Sequence, residues 1–256
     1  MDIYLTSSPF SGHEDPANSH TECKGLAISE LNGFADRLRK SAQGCRHGLM
    51  IASAPDDPAF TERISGDMRS ALERSGITFD TWQDLDRRNA AAAASLVTRS
   101  DFFVLAGGHT PTQNRFFREI GLKELIHDRM QLPGPSVLVG ISAGSMNAAD
   151  TVYAQPEEAG ESRDPKYERF LTGLGLTSAM IIPHFQRIRE CVLDGRRLFE
   201  EISAPDSMGR CFYLMNDGSY LYIRDDIARI YGALHIMKDG AIRKIADHGG
   251  VTALIT

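Results

Sequence analysis

An α/β fold, a mainly parallel sheet with helices on both faces, is predicted by three features of this sequence. Short apolar runs rich in β-branched and aromatic residues alternate with longer amphipathic stretches. Several of the runs are apolar throughout instead of alternating, as expected where both faces of a strand are covered. One of them, Val137–Ile141, runs straight into a serine flanked by small residues and then into a helix-compatible segment.

The elements follow in order. Ile3–Leu5 reads as a strand, and Ser11–Glu22, polar and turn-rich, as a surface loop. Leu49–Ser53 is the next strand. Asp57-Pro58 is a cap and first-turn pair leading into a helix over Ala59–Arg74, with Gly76 suited to its exit. Leu85–Thr98 is expected to be helical, its alanine run Ala90–Ala94 suiting close packing on a sheet. Strands Phe102–Leu105 and Val137–Ile141 precede a polar loop, Gln155–Lys166, which follows the strongest motif and is expected to border a pocket. After the strand Ala179–Ile182, a helix is expected over Gln186–Ile202, with apolar residues at Ile188, Cys191, Val192, Leu198 and Ile202. Phe212–Met215 and Tyr220–Ile223 flank a turn at Asp217, and the end of the chain suits a strand pair about Asp239-Gly240. With no internal repeat and no linker of low complexity, residues 1–256 are expected to form a single α/β domain.

Composition narrows the functions open to such a chain. A net charge of -6 and no basic stripe argue against nucleic acid, since phosphate binding needs a basic excess. No window approaches the ~20 apolar residues of a membrane span, and the start, MDIYLTSSPF, has no signal-peptide pattern. The cysteines, Cys23, Cys45, Cys191 and Cys211, lack metal-site spacing. A cytoplasmic protein with reduced thiols, no metal and no cofactor is the expectation, its oligomeric state left open, a homodimer included.

The strongest motif is VLVGISAGSMN, Val137–Asn147. It holds Gly140-Ile141-Ser142-Ala143-Gly144, a G-x-S-x-G in the strand–turn–helix setting that lifts a serine hydroxyl above a sheet edge. The Ala143 amide would open the helix and face a developing oxyanion. A second glycine pair ends another strand in FFVLAGGHTPTQ, where Gly107 and Gly108 offer bare amides and His109 a side chain. Ligands gather at the carboxyl ends of parallel strands, so the two turns should be neighbours. The serine needs a base. Of eight histidines, His184 ends the apolar strand of AMIIPHF and so reaches that same edge. Asp217 is a candidate to orient it, with Asp150, Glu157 and Glu158 as rivals on or beyond the helix after the serine.

The glycine pair, GISAGSMN, IIPHF and NDGSY stand in the order and approximate spacing of the peptidase E and cyanophycinase family, which this chain resembles from about Leu49 to Ile223. The resemblance implies a flavodoxin-like relative of the class I glutamine amidotransferase fold, with serine in place of cysteine. It implies Ser142 as nucleophile, His184 as general base, Asp217 before glycine as the acid, and Gly108 and Ala143 as oxyanion amides. Glu157 lies where a further acid of peptidase E falls. The function so implied is hydrolysis of short peptides, dipeptides with an amino-terminal aspartate among them. Arg196 or Arg197 would meet the aspartate carboxylate, and His109 stands where the family usually has Asn or Asp.

Two other readings compete. An α/β-hydrolase esterase would need the order Ser142, then Asp194, Asp206 or Asp217, then His235 or His248, and leaves the PHF segment and the glycine pair without a role. A binding module of the same fold would keep the pocket without turnover.

Overall fold

The computed structural model describes residues 1–11, 27–225 and 227–254. Most of the loop expected at Ser11–Glu22, and Cys23, lie outside the described residues. Five parallel strands form the centre of the molecule. They are β1 (Asp2–Thr6), β2 (His47–Ile51), β3 (Thr81–Leu85), β4 (Phe102–Leu105) and β5 (Val137–Ile141). Their spatial order is β3-β2-β4-β5-β1. Taking β2 as the first strand, β3-β2-β4-β5 is the 2-1-3-4 order of a flavodoxin-like sheet, with β1 added at its side.

Helices cover both faces, and the residues of β4 show why the strand has no polar side. Phe102, Phe103, Val104 and Leu105 are all fully buried. Phe103 and Leu105 pack with α3 (Ala93–Arg99), α4 (Thr110–Glu119) and α5 (Leu122–Met130), through Leu96, Phe116 and Ile126. Phe102 and Val104 pack on the other face with α1 (Phe34–Ser41) and α2 (Pro58–Arg74), through Leu38, Met68 and Leu72. Each such side chain contributes about 1.5–3 kcal/mol on burial, which pins the register of the sheet and so the height of the loops at its carboxyl edge. Helix α2 begins where Asp57 accepts the Phe60 amide at 2.9 Å and Pro58 opens the first turn.

After β5 come α6 (Ala143–Asn147), the hairpin β6 (Thr151–Tyr153) with β7 (Phe170–Thr172), and β8 (Met180–Ile182). Then follow α7 (Phe185–Ile188), the two-residue strands β9 (Val192–Leu193) and β10 (Arg196–Arg197), a wide helical turn over Leu198–Ser203, and α8 (Ala204–Asp206). A second sheet joins β8 to β11 (Cys211–Met215) in parallel, then β14 (Leu234–Lys238) and β15 (Ala241–Ala246). The main sheet continues past β1 through β12 (Tyr220–Arg224), β13 (Ile227–Tyr231) and β16 (Val251–Ala253), all antiparallel to their neighbours.

Two expected helices take other forms. Gln186–Ile202 is not one helix: Asp194 and Gly195, at φ 54° and 79°, turn Val192–Leu193 back on Arg196–Arg197. An Asp-Gly pair accepts the two positive φ values of a tight hairpin, and here that preference outweighs a helical spacing of apolar residues. In Leu85–Thr98, the helix starts only at Ala93, because Thr81–Leu85 pairs beside β2 as an edge strand. Asp86 and Asn89 then close a capping box that sets a short 3₁₀ turn first. Asp239-Gly240 does connect a strand pair, β14 and β15. Among the described residues no helix is long and apolar enough to cross a membrane.

Candidate active site

Strands β1, β4 and β5 of the main sheet and β8 and β11 of the second sheet all deliver their carboxyl ends to one place. Ser142 follows β5 directly, at φ 50° and ψ −112°, a strained conformation for any residue with a Cβ. The turn is held from both sides: the Ser142 amide donates to the Thr6 carbonyl at 3.0 Å, and the Ser142 carbonyl accepts from the amides of Ser145 and Met146. Ser145 Oγ donates to the same Thr6 carbonyl at 2.8 Å. Gly144 is required because a Cβ there would stand 2.3 Å from the Leu105 carbonyl oxygen at the end of β4. The short helix therefore presses on the strand whose glycine turn adjoins the serine.

His184 ends the β8 strand at φ 59°, a left-handed position from which α7 departs. Its Nε2 lies 2.9 Å from Ser142 Oγ and its Nδ1 2.6 Å from Asp217 Oδ1. With Nδ1–H donating to the carboxylate, Nε2 is left to accept the serine proton. Asp217 sits in the turn between β11 and β12 with its side chain fully buried. Burial pushes its carboxyl upward, but hydrogen bonds and the charge of His184, with further bonds from Ser7 and Gln186, outweigh it and hold the group below the usual carboxylate value of 3.8.

Two partners of this pair carry no motif and are not foreseen from the sequence. Ser7, fully buried just past β1, accepts the His184 amide at 2.6 Å and donates to Asp217 Oδ1 at 2.7 Å. Gln186, in the first turn of α7, donates to Asp217 Oδ2 at 2.8 Å and accepts the Asp217 amide at 3.0 Å. Arg187 adds a cation 3.7 Å from Oδ2. The only signal for Ser7 is its place at the end of an apolar strand, which many serines share.

The glycine pair lies against the nucleophile turn: a Cβ on Gly107 would meet Ser142 Cβ at 3.4 Å. Ser53 Oγ donates to the Gly107 carbonyl at 2.6 Å. The peptide unit is trans, so that bond aims the Gly108 N–H away from Ser53. A side chain on Gly108 would strike Ser53 Oγ at 2.5 Å. Ala143 N–H is a first-turn amide of α6, which a helix leaves without an internal acceptor.

Ser142 and His184 open onto a cavity of about 280 Å³. Gln155, Pro156 and Glu157 form one wall, and Ile188, Val192, Leu193 and Leu198 line it with apolar side chains. The loop expected to border a pocket, Gln155–Lys166, thus does so at its start. Glu157 is exposed as a residue and lines the cavity, yet protein crowds its carboxyl. That crowding raises the carboxyl above its ordinary 4.5, against the hydrogen bonds from Thr110.

Other expected site residues lie elsewhere. His109 caps α4, with Nδ1 2.8 Å from Thr112 Oγ1 and Nε2 2.8 Å from Glu161 Oε1. Glu161 Oε2 in turn accepts the amides of Glu157 and Glu158 at 2.8 and 2.9 Å. His109 therefore clasps the loop that carries Glu157 and does not line the cavity. Donor atoms of His109, Glu158 and Glu161 lie within 4.8 Å of one another, a spacing that could admit a cation, and the clasp accounts for their grouping. Arg196 donates to the Glu201 carbonyl at 2.8 Å and Arg197 to Glu200 at 2.8 Å. Both sit on the hairpin strand β10, not on a helix face, and neither lines the cavity. Asp194, the rival acid, accepts from Gly160 and Ser162. His235 packs its ring 4.8 Å from Phe185, and His248 is exposed, so the esterase order finds no partner at Ser142.

The chain matches the model of peptidase family S51 over residues 51–231. A peptidase from an acI-B1 Actinobacterium has a TM-score of 0.65 and 18% identity, covering 99% of this chain and 96% of its own. A Listeria monocytogenes EGD-e protein whose given name places it with peptidase E has a TM-score of 0.55 and 15% identity, covering 96% and 98%. At those identities the likeness speaks for the fold alone. No curated protein sequence matches the chain.

Proposed function

We propose, for a chain that belongs to peptidase family S51 and is on that ground a serine peptidase, that Ser142, His184 and Asp217 are its catalytic triad and short peptides its substrates. One observation carries this reading: an unbroken hydrogen-bond path from Ser142 Oγ through both nitrogens of His184 to the buried Asp217. Nε2 takes the serine proton as Oγ attacks the scissile carbonyl, and Asp217 stabilises the imidazolium so formed. The oxyanion is received by the amides of Gly108 and Ala143. His184 then gives its proton to the leaving amine, an acyl-enzyme remains on Oγ, and water releases it by the same relay. A cavity of about 280 Å³ suits a peptide of a few residues and no folded substrate. An amino-terminal aspartate has little support, since Arg196 and Arg197 are bound elsewhere.

A fluorophosphonate probe, which phosphonylates an activated serine with loss of fluoride, tests the reading. Mass-spectrometric capture at Ser142 supports it. Silence at Ser142 in a folded sample favours the binding module.

Ser7 orients the pair, holding the His184 backbone and one oxygen of Asp217 with a single hydroxyl. Ser7→Ala is expected to lower kcat roughly ten- to a hundredfold, the worth of a hydrogen bond to a charged group, with KM little changed. Ser7→Thr should keep most of the rate, because the hydroxyl stays. An unchanged kcat in Ser7→Ala, or a loss confined to KM, would refute this role.

A further inference from the structure

Among the described residues that line the cavity, Glu157 is the one acidic side chain, and it is held in place. Thr110 fixes Glu157 Oε1, donating from Oγ1 at 2.9 Å and from the backbone at 3.4 Å. Glu161, itself held by His109, fixes the Glu157 amide. Oε2 of Glu157 has no partner among the described residues. No lysine or arginine is among the described residues lining the cavity, so no permanent cation there answers an acidic substrate side chain. Ile188, Val192, Leu193 and Leu198, with Cys191 among them, line the same cavity with largely apolar area.

We propose that Glu157 Oε2 receives the free α-ammonium group of the peptide's first residue while the apolar wall receives that residue's uncharged side chain. The enzyme is then an exopeptidase for short peptides that begin with an apolar residue. This inference rests on the serine-peptidase reading, which places the carbonyl of that first residue at Ser142.

The ammonium and the carboxylate complete each other. An acid crowded by protein gains a partner that stabilises its ionised form, and an ammonium entering the cavity exchanges water for a fixed acceptor. Because the contact is made in the ground state as well as during attack, its loss should fall mainly on KM. An acidic first side chain would stand near Glu157 without a cation and be repelled. A lysine or arginine side chain would have to lay its charge along the apolar wall.

The test is a matched set of dipeptides, Leu-X, Phe-X, Asp-X and Lys-X, each free and N-acetylated, with wild type and Glu157→Gln. Fluorophosphonate labelling of Ser142 is run beside it. Glutamine keeps an acceptor for Thr110, so the loop is expected to hold. Expected are cleavage of free Leu-X and Phe-X above the others and loss of activity on acetylation. Glu157→Gln should raise KM for free Leu-X roughly ten- to a hundredfold and leave labelling at Ser142 intact. Equal hydrolysis of acetylated and free Leu-X, best cleavage of Asp-X or Lys-X, or an unchanged KM in Glu157→Gln overturns the inference, and with Ser142 still labelled the peptidase reading survives. Failure of labelling removes both.

Discussion

Replacing Ser142 by alanine is expected to abolish hydrolysis, with kcat/KM falling on the order of a millionfold, while the chain stays folded. The substitution removes only the hydroxyl that His184 meets at 2.9 Å. The strained turn does not depend on that hydroxyl, since backbone bonds to Thr6, Ser145 and Met146 hold it. His184→Ala should be nearly as damaging, and the double variant little worse than either, because groups that work as one unit are strongly non-additive. Steady-state kinetics on a short peptide, with a thermal melt of each variant, make the comparison. More than about a tenth of wild-type kcat/KM in Ser142→Ala would be incompatible with a nucleophile.

Asp217→Asn is expected to lower kcat about ten-thousandfold, with a modest change in KM. An amide cannot stabilise the imidazolium, and it offers Nδ1–H a neutral acceptor at best. The effect should exceed that of Glu157→Gln on kcat; the reverse ranking would sink the assignment of Asp217. A second consequence concerns stability. The Asp217 carboxyl is held below 3.8 in the folded protein, so the unfolded chain binds the proton more readily. The stability this contributes is present above 3.8 and is lost as the pH falls through the lower, folded value. Denaturant titrations between about pH 5 and 2 should therefore show wild type losing stability more steeply than Asp217→Asn. Parallel curves for the two proteins would refute the depressed carboxyl.

Where chain-local chemistry decides an element, it is legible in the residues. VLVGI is a strand because every side chain is apolar, and the small residues around Ser142 leave only a tight exit from it. Asp57-Pro58 starts a helix by satisfying one amide and removing another. The Gln186–Ile202 segment shows the limit of such reading. Its apolar residues fall at helical intervals, but Val192 and Leu193 line the cavity wall from a hairpin that Asp194-Gly195 turns. Periodicity reports that a face is buried and not what buries it, and a two-residue turn overrides it. Arg196 and Arg197 go with that hairpin and meet Glu201 and Glu200, where the helical spacing would set them on a helix face.

By itself the sequence determined the α/β class, the strand ends that carry Ser142, His184 and the glycine pair, and the absence of any basic or long apolar segment. Each depends on neighbours within a few residues, where sterics, capping and burial leave few conformations. Only the tertiary structure decided which groups meet. Ser7 and Asp217 are separated by 210 positions in the chain, and Ser142 and His184 by 42, yet all four converge. That convergence is set by β1 pairing with β5 and β12, and by β8 pairing with β11. Sheet register is a long-range choice, made by the summed burial of whole strands, and no local window contains it.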